Sequence, residues 1–329
     1  MKILNDVHIG AARSGGTTPA SASALRAWVL EQFRTEVAAT TSDLCILGDL
    51  FDSHAIPFAN IAETFNILNL WCINNPNSKL ILVRGNHDIN PDSSKLSSFD
   101  MLSSILSTVH LNVLPIQAPT LYQNCYIIPH LQNQTQLDEA LQDVPSVQYL
   151  LVHTNYDNNF AKESDHSLNI SKEQAASAPV QHIIFAHEHQ SRTDLQGKVV
   201  IPGNQVPTSI SDCLGGKRQW VELTGAGPIL HDVENPHTYV ELDWASAEPV
   251  DAHFVRLVGT AEAGQAADVA NTVAKYRRNS QAFVVGNAVK VASDKVDSVS
   301  VESVQGFNVM ETLKELLTKD ELKIIESLT

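Results

Sequence analysis

The chain has 329 residues, 43% hydrophobic and 18% charged, with a formal net charge of −15 and 13 histidines. This length suits one sizeable domain plus a smaller one, and the acidic balance argues against coating nucleic acid through a broad basic surface. It does not exclude one local cleft made positive by bound cations. Four cysteines (Cys45, Cys72, Cys125 and Cys213) are scattered without metal spacing, which fits a reducing cytosol better than a disulfide framework. No apolar run reaches the length of a membrane span, and the opening residues, MKILNDVHIG, lack a signal-peptide pattern. A cytoplasmic location is therefore expected.

In chain order, residues 2–4 predict a short strand ending in Asn5-Asp6-Val7-His8. A glycine- and serine-rich loop, GAARSGGTTP, follows, and then an amphipathic helix over Ser21–Ala39 with Leu25, Trp28, Val29 and Phe33 on one face. Leu44, Cys45, Ile46 and Leu47 read as a strand covered on both faces, with Gly48 freeing the turn that delivers Asp49 and Asp52. A helix over Phe58–Asn74 is apolar along two stripes: Ile61, Phe65, Leu68 and Cys72, then Ile67, Leu70 and Trp71. That suits a helix wedged between a sheet and a neighbour, or a contact between two copies.

Strand 79–84 ends in Gly85-Asn86-His87-Asp88. A helix around Phe99–Leu106 and strands at Tyr126–Ile128, Tyr149–Val152, His182–Phe185, Val199–Ile201 and Gln219–Leu223 complete the larger unit. Composition shifts toward Gly, Pro, Asp and Glu over 224–251, which places a boundary near residue 250. Residues 251–305 then read as a small β-α-β unit around a helix at Ala266–Asn279, and 306–329 as a helical tail with two capping boxes.

The polar residues gather at strand ends as D-x-H (Asp6, His8), G-D-x-x-D (Asp49, Asp52), G-N-H-D (Asn86, His87), a lone His153, and H-x-H (His187, His189). Each piece is a weak signal alone, but five in series after apolar runs are hard to obtain by chance. Residues i and i+2 of an extended chain project to one side, so each pair can bite one metal cluster. Carboxylate, amide and imidazole donors without thiolate suit Mn²⁺, Fe²⁺ or Zn²⁺. A buried acidic pair needs such cations or hydrogen bonds. The pattern reads as a two-metal phosphoesterase centre with Asp49 shared.

This set of motifs resembles the calcineurin-like metallophosphoesterase superfamily over roughly residues 1–225. Within it, GDLFDSHAIP followed by VRGNHD is similar to the SbcD-type nuclease branch of double-strand break processing. The small β-α-β unit is similar to that branch's DNA-capping domain. The resemblance implies an α/β fold, a four-layer αββα sandwich with a small C-terminal α+β capping domain. It implies one cation on Asp6, His8, Asp49 and His189, and another on Asp49, Asn86, His153 and His187. It also implies that His87 protonates the leaving oxygen and that Asp52 orients His87.

Two departures from the family pattern are Ala186, where a glycine is usual, and PGNQVPTSISD (202–212), expected to form a wall of the cleft. Expected partners are DNA, an SbcC-type ATPase and a second copy, with no membrane. Candidate substrate contacts are His54, Arg84, Lys275, Arg277 and Arg278. Asp88 reads as a loop-capping residue. His110, His130, His166, His182, His231, His237 and His253 read as surface or core. The alternatives are a phosphodiesterase or phosphatase for a small nucleotide, and a non-catalytic binding subunit that has kept the fold.

Overall fold

Alternation along the strands decides the layering. A computed structural model describes residues 1–11, 18–158, 168–214, 217–233, 237–248, 250–279 and 282–292. Strands β1 (Lys2–Leu4), β2 (Leu44–Leu47), β3 (Leu80–Val83) and β4 (Val113–Ile116) pair in parallel. Strands β5 (Thr120–Tyr122), β6 (Cys125–Ile128) and β7 (Val147–His153) begin a second sheet. A short pair, β8 (Asn155–Tyr156) and β9 (Asn169–Ile170), precedes β10 (Val180–Ala186), which lies parallel to β7.

The second sheet closes with β11 (Arg192–Asp194) and β12 (Val199–Ile201), in the order β11-β12-β10-β7-β6-β5. The hairpin β13 (Gln219–Thr224) and β14 (Gly227–Asp232) returns to the first sheet, giving β14-β13-β1-β2-β3-β4. Cys45, Leu47, Ile81 and Val83 point inward against Ile127, Leu151 and Ile184 of the second sheet. Their alternates Leu44, Ile46, Leu80 and Leu82 point outward onto helices.

Those helices are α1 (Pro19–Ala38), α2 (Phe58–Asn74) and α3 (Ser98–Val109). Helix α1 starts where Thr18 accepts from the Ser21 N–H ahead of Pro19, and α3 starts on a Ser97/Asp100 capping box. On the other side, α4 (Gln134–Gln142) and α5 (Lys172–Ser177) cover Leu150, Val152, Ile183 and Phe185. Helix, sheet, sheet, helix is the expected four-layer sandwich. A fully buried side chain such as Leu68 or Phe51 contributes about 1.5–3 kcal/mol to it.

Both stripes of α2 are placed. Leu68, Trp71 and Cys72 are buried, while Leu70 and Ile73 remain 58% exposed on the outer face. The α1 stripe also divides, with Phe33 and Val37 on the sheet and Leu25 and Val29 toward the small unit.

A four-residue helix, α6 (Ile210–Cys213), leads out of the second sheet. The small unit is a parallel sheet of β15 (Tyr239–Asp243), β16 (Phe254–Val258) and β18 (Val284–Asn287). A short parallel pair, β17 (Thr260–Ala261) and β19 (Lys290–Val291), and helix α7 (Ala266–Asn279) complete it. Its sheet begins at Tyr239, earlier than the boundary near residue 250 that composition suggested, because β15 pairs with β16 along its whole length. Helix α7 covers one face through Val269, Val273 and Tyr276. Phe254 and Val284 on the other face meet Leu25 and Val29 of α1. The tail expected over 306–329 lies outside the described residues. No described helix is long and apolar enough to cross a membrane.

Candidate metal centre

Five parallel strands, three from the first sheet and two from the second, end at one edge. Asp6 and His8 follow β1, Asp49 and Asp52 follow β2, and Asn86 and His87 follow β3. His153 ends β7, and His187 and His189 follow β10. Glycine lets these segments meet. A Cβ on Gly48 (φ +80) would lie 2.0 Å from His153 Nδ1, and one on Gly85 would lie 2.2 Å from Asp49 Oδ1.

The D-x-H pair shares a side by a different route from the extended chain expected. Asp6 (φ 48), His8 (φ 54), Asp49 (φ 47) and His187 (φ 89) are all left-handed. Each such residue costs about 1–3 kcal/mol, and the bonds from Asp6 N–H to Gly48 O and from His8 N–H to Asp49 O hold the bend. Ala186 is an ordinary buried strand residue, because the positive φ falls on His187 instead.

Three groups of ligand atoms lie within 4.8 Å of one another: Asp6, His8 and His189; His8, Asp49 and His87; Asp49, His153 and His187. Asp49 joins the last two, its Oδ2 lying 3.4 Å from His153 Nε2 and 4.0 Å from His8 Nε2. Its Oδ1 accepts from the His87 backbone N–H at 2.9 Å. Asn86 Oδ1 is 2.9 Å from both His153 Nε2 and His187 Nδ1. Asp6 accepts from the His187 N–H at 2.9 Å and from Asn5 Nδ2 at 2.8 Å.

The chemistry of these contacts tests whether cations fit. His153 Nδ1 lies 3.1 Å from the Leu47 carbonyl, so a neutral ring spends its one proton there. Its Nε2 lone pair then faces the oxygens of Asn86 and Asp49. On the other side His8 Nε2 meets His189 Nε2 at 3.0 Å, while His189 Nδ1 lies 3.1 Å from Asp212 Oδ1. Lone pairs converge at both places, and a proton or a cation between them makes each arrangement favourable. The residues fit two divalent cations.

Burial opposes charge on His153, but Asp49 beside it pushes its pKa up to about 9. Burial likewise opposes ionisation of Asp49, and His153, His8 and His87 hold its carboxyl well below the usual carboxylate range. Burial and then His153 push His187 down to about 4. Asp88 accepts from the N–H groups of Phe51 and Gly85, the loop-capping role read from sequence. Burial and the neighbouring Asp49 push its carboxyl up to about 7.

The expected pairing of the Asp52 and His87 side chains is replaced by another. His87 Nδ1 lies 2.7 Å from the backbone carbonyl of Asp52, and the Asp52 carboxylate lies 3.3 Å from His8 Nδ1. The Asp52 carboxylate thus stands beside the buried His8 ring as a close charged neighbour and is not hydrogen-bonded to it.

The candidate substrate contacts are dispersed. His54 sits in the loop before α2, where its carbonyl accepts from Ser98 N–H. Arg84 donates to the Gln117 carbonyl and lines a separate cavity with Leu131 and Glu139. Arg277 donates to the Val285 carbonyl within the small unit, on the face of the sheet away from α1. Lys275 and Arg278 are exposed on the same helix.

Asp49, His87, His187 and His189 open into a cavity of about 420 Å³, whose other wall is Ser209, Ser211 and Asp212. Sequence reasoning assigned no role to Asp212, Asn5 or His130. His130 follows β6, and its ring lies 6.2 Å from that of His153. Burial and the His153 charge push it down to about 3. The rule that located the other candidates, a polar residue past a strand's end, applies to it equally.

The family model described as calcineurin-like phosphoesterase matches residues 2–191. No curated protein matches the chain. Among solved structures, the chain is similar to TT1561 of Thermus thermophilus, at 16% identity over 71% of this chain and 98% of that one, with a TM-score of 0.43. A metallophosphoesterase from Sphaerobacter thermophilus gives 13% identity over 71% and 87%, with a TM-score of 0.31. Vacuolar Protein Sorting 29 from Cryptosporidium parvum gives 11% over 70% and 94%, with a TM-score of 0.28.

Proposed function

The chain belongs to the calcineurin-like phosphoesterase family, and we propose that its reaction is Mn²⁺-dependent hydrolysis of DNA phosphodiesters by an SbcD-like exonuclease or endonuclease. The observation that carries the nuclease reading is the small unit packed against α1 and beside the cleft wall, an addition that a small substrate does not require.

Asp6, His8, Asp49 and His189 would hold one cation, and Asp49, Asn86, His153 and His187 the other. Bound there, two divalent cations polarise the phosphoryl group and lower the pKa of a water, supplying a hydroxide nucleophile. Asp49 is fitted to serve both sites, because one oxygen is tied to the His87 N–H while the other lies between His8 and His153. Attack at phosphorus breaks the bond to the leaving oxygen, which must gain a proton. His87 lines the cavity with Nδ1 anchored on the Asp52 carbonyl, which leaves Nε2 to deliver that proton. A second copy meeting the exposed Leu70 and Ile73 of α2, an SbcC-type ATPase partner and a cytoplasmic location belong to the same proposal.

One observation favours the other reading, a small nucleotide diester. Arg84 and Arg277 are engaged away from the cavity, and among the described residues no Arg or Lys lines it. The deciding assay compares Mn²⁺-dependent release of nucleotides from linear duplex DNA with hydrolysis of bis-p-nitrophenyl phosphate and cyclic nucleotides. Degradation of DNA is expected. Turnover of the small diesters with intact DNA would remove the nuclease reading and leave the phosphodiesterase.

A further inference from the structure

One carboxylate outside the candidate ligand set is more tightly held than most of the ligands. Asp212 ends the capping box of α6 and is 5% exposed. Its Oδ2 accepts from Thr208 N–H at 2.8 Å, Ser209 N–H at 3.1 Å, Thr208 Oγ1 at 3.2 Å and Asn204 Nδ2 at 3.3 Å. With that oxygen fixed by four donors, Oδ1 is left aimed at His189 Nδ1, 3.1 Å away. His189 is further tied by its carbonyl, which accepts from Arg218 at 2.7 Å.

Helix α6 also touches the small unit. Ile210 packs with Phe254 and Val284, and a Cβ on Gly286 of β18 would lie 2.9 Å from Ile210 Cγ1. The short helix therefore stands between the sheet of the small unit and the histidine.

We infer that Asp212 is a positioning residue for His189, fixing its Nδ1–H tautomer so that Nε2 faces the metal centre, and that the small unit holds Asp212 in place through the contact of Ile210 with Gly286. The inference rests on reading the site as a two-cation centre. A carboxylate behind an imidazole orients the ring and raises its basicity, and losing it costs about 10–100-fold in metal affinity. The effect of Asp212→Asn follows from the four donors. They retain the amide oxygen, which turns the NH₂ toward His189. The ring must then accept at Nδ1 and carry its proton on Nε2, where it blocks coordination.

Calorimetric titration of the full chain with Mn²⁺ should show two binding steps. In Asp212→Asn one step should weaken about 10–100-fold while the other stays within a few-fold. Gly286→Val, which adds bulk against Ile210 and alters no candidate ligand, should weaken that same step. Unchanged affinities in Asp212→Asn would overturn the role of the carboxylate, and an unchanged Gly286→Val would overturn that of the small unit.

A second readout needs neither variant nor metal. Long-range ¹H–¹⁵N spectra of the metal-free wild type at alkaline pH should show His189 as the Nδ1–H tautomer, and the Nε2–H form would sink the inference. A wild type that binds no Mn²⁺ would instead defeat the two-cation reading, with the tautomer still deciding whether Asp212 sets the ring.

Discussion

The catalytic unit and the small unit are built alike, from parallel strands with a helix laid over a face, but their strand ends differ. Four candidate ligands of the first, Asp6, His8, Asp49 and His187, sit in left-handed backbone. In the small unit, among the described residues, only Gly259 has positive φ. The first keeps a buried nest of carboxylates and imidazoles at its edge, whereas the second buries Val255, Leu257 and Val285 under α7 with no comparable cluster among the described residues. Similar packing thus serves two ends. One unit spends its stability on holding charges together, and the other is a support whose value lies in what it presses against.

The largest test of that contrast is Asp49→Ala. With the shared carboxylate gone, elemental analysis should find the protein emptied of both cations and phosphodiester hydrolysis at background. Retention of two cations would end the idea of a common ligand. His87→Ala should separate chemistry from binding. Turnover should fall about 10²–10⁴-fold while metal content stays near two per chain. Loss of the metals in this variant would make His87 a ligand, as its place in one cluster of ligand atoms permits.

Leu257→Ala moves the test to the small unit. This fully buried residue should cost about 2–5 kcal/mol in denaturant unfolding, yet metal content and turnover should persist below the melting temperature. Loss of metal in the folded variant would show that the helix-covered face of the small unit, and not only the face that meets Ile210, bears on the metal centre.

The smallest effect concerns acid. His237, at the entrance to β15 with its ring edge-on to Phe254, is pushed down to about 4 by burial and then by Arg218, from 6.5. Below 6.5 the unfolded chain takes up a proton that the folded one refuses, so stability falls as pH drops from 6.5 toward 4. Melting temperatures of His237→Gln should fall less steeply across that window than those of the wild type. Parallel curves would place the acid sensitivity elsewhere.

How much of this was legible in the sequence follows from where each residue lies. Central strands such as LCIL and LILV are covered on both faces, and their unbroken apolar runs announced both the sheet and the polar residues beyond it. The strands over Val113–Ile116, Thr120–Tyr122, Arg192–Asp194 and Gly227–Asp232 passed unseen because all four are edges of the two large sheets. They are short or polar, and Pro115 is tolerated there since an edge leaves ladder positions unpaired. Tyr239–Asp243 is another edge, which is why the small unit seemed to begin later. Asp212 left no periodic trace, being 23 positions from His189 and joined to it only by folding. The approach of the Asp52 carboxylate to His8 likewise joins segments distant in sequence, which residue types alone do not specify.

Gly48 carries one last consequence. The two large sheets meet there through bare backbone against the His153 ring, with no flexible side chain between them to yield. That contact acts as a hard stop, a ruler for the gap across which ligands from opposite sheets must cooperate. Cooling or hydrostatic pressure should close softer, side-chain-filled parts of the interior before this gap changes.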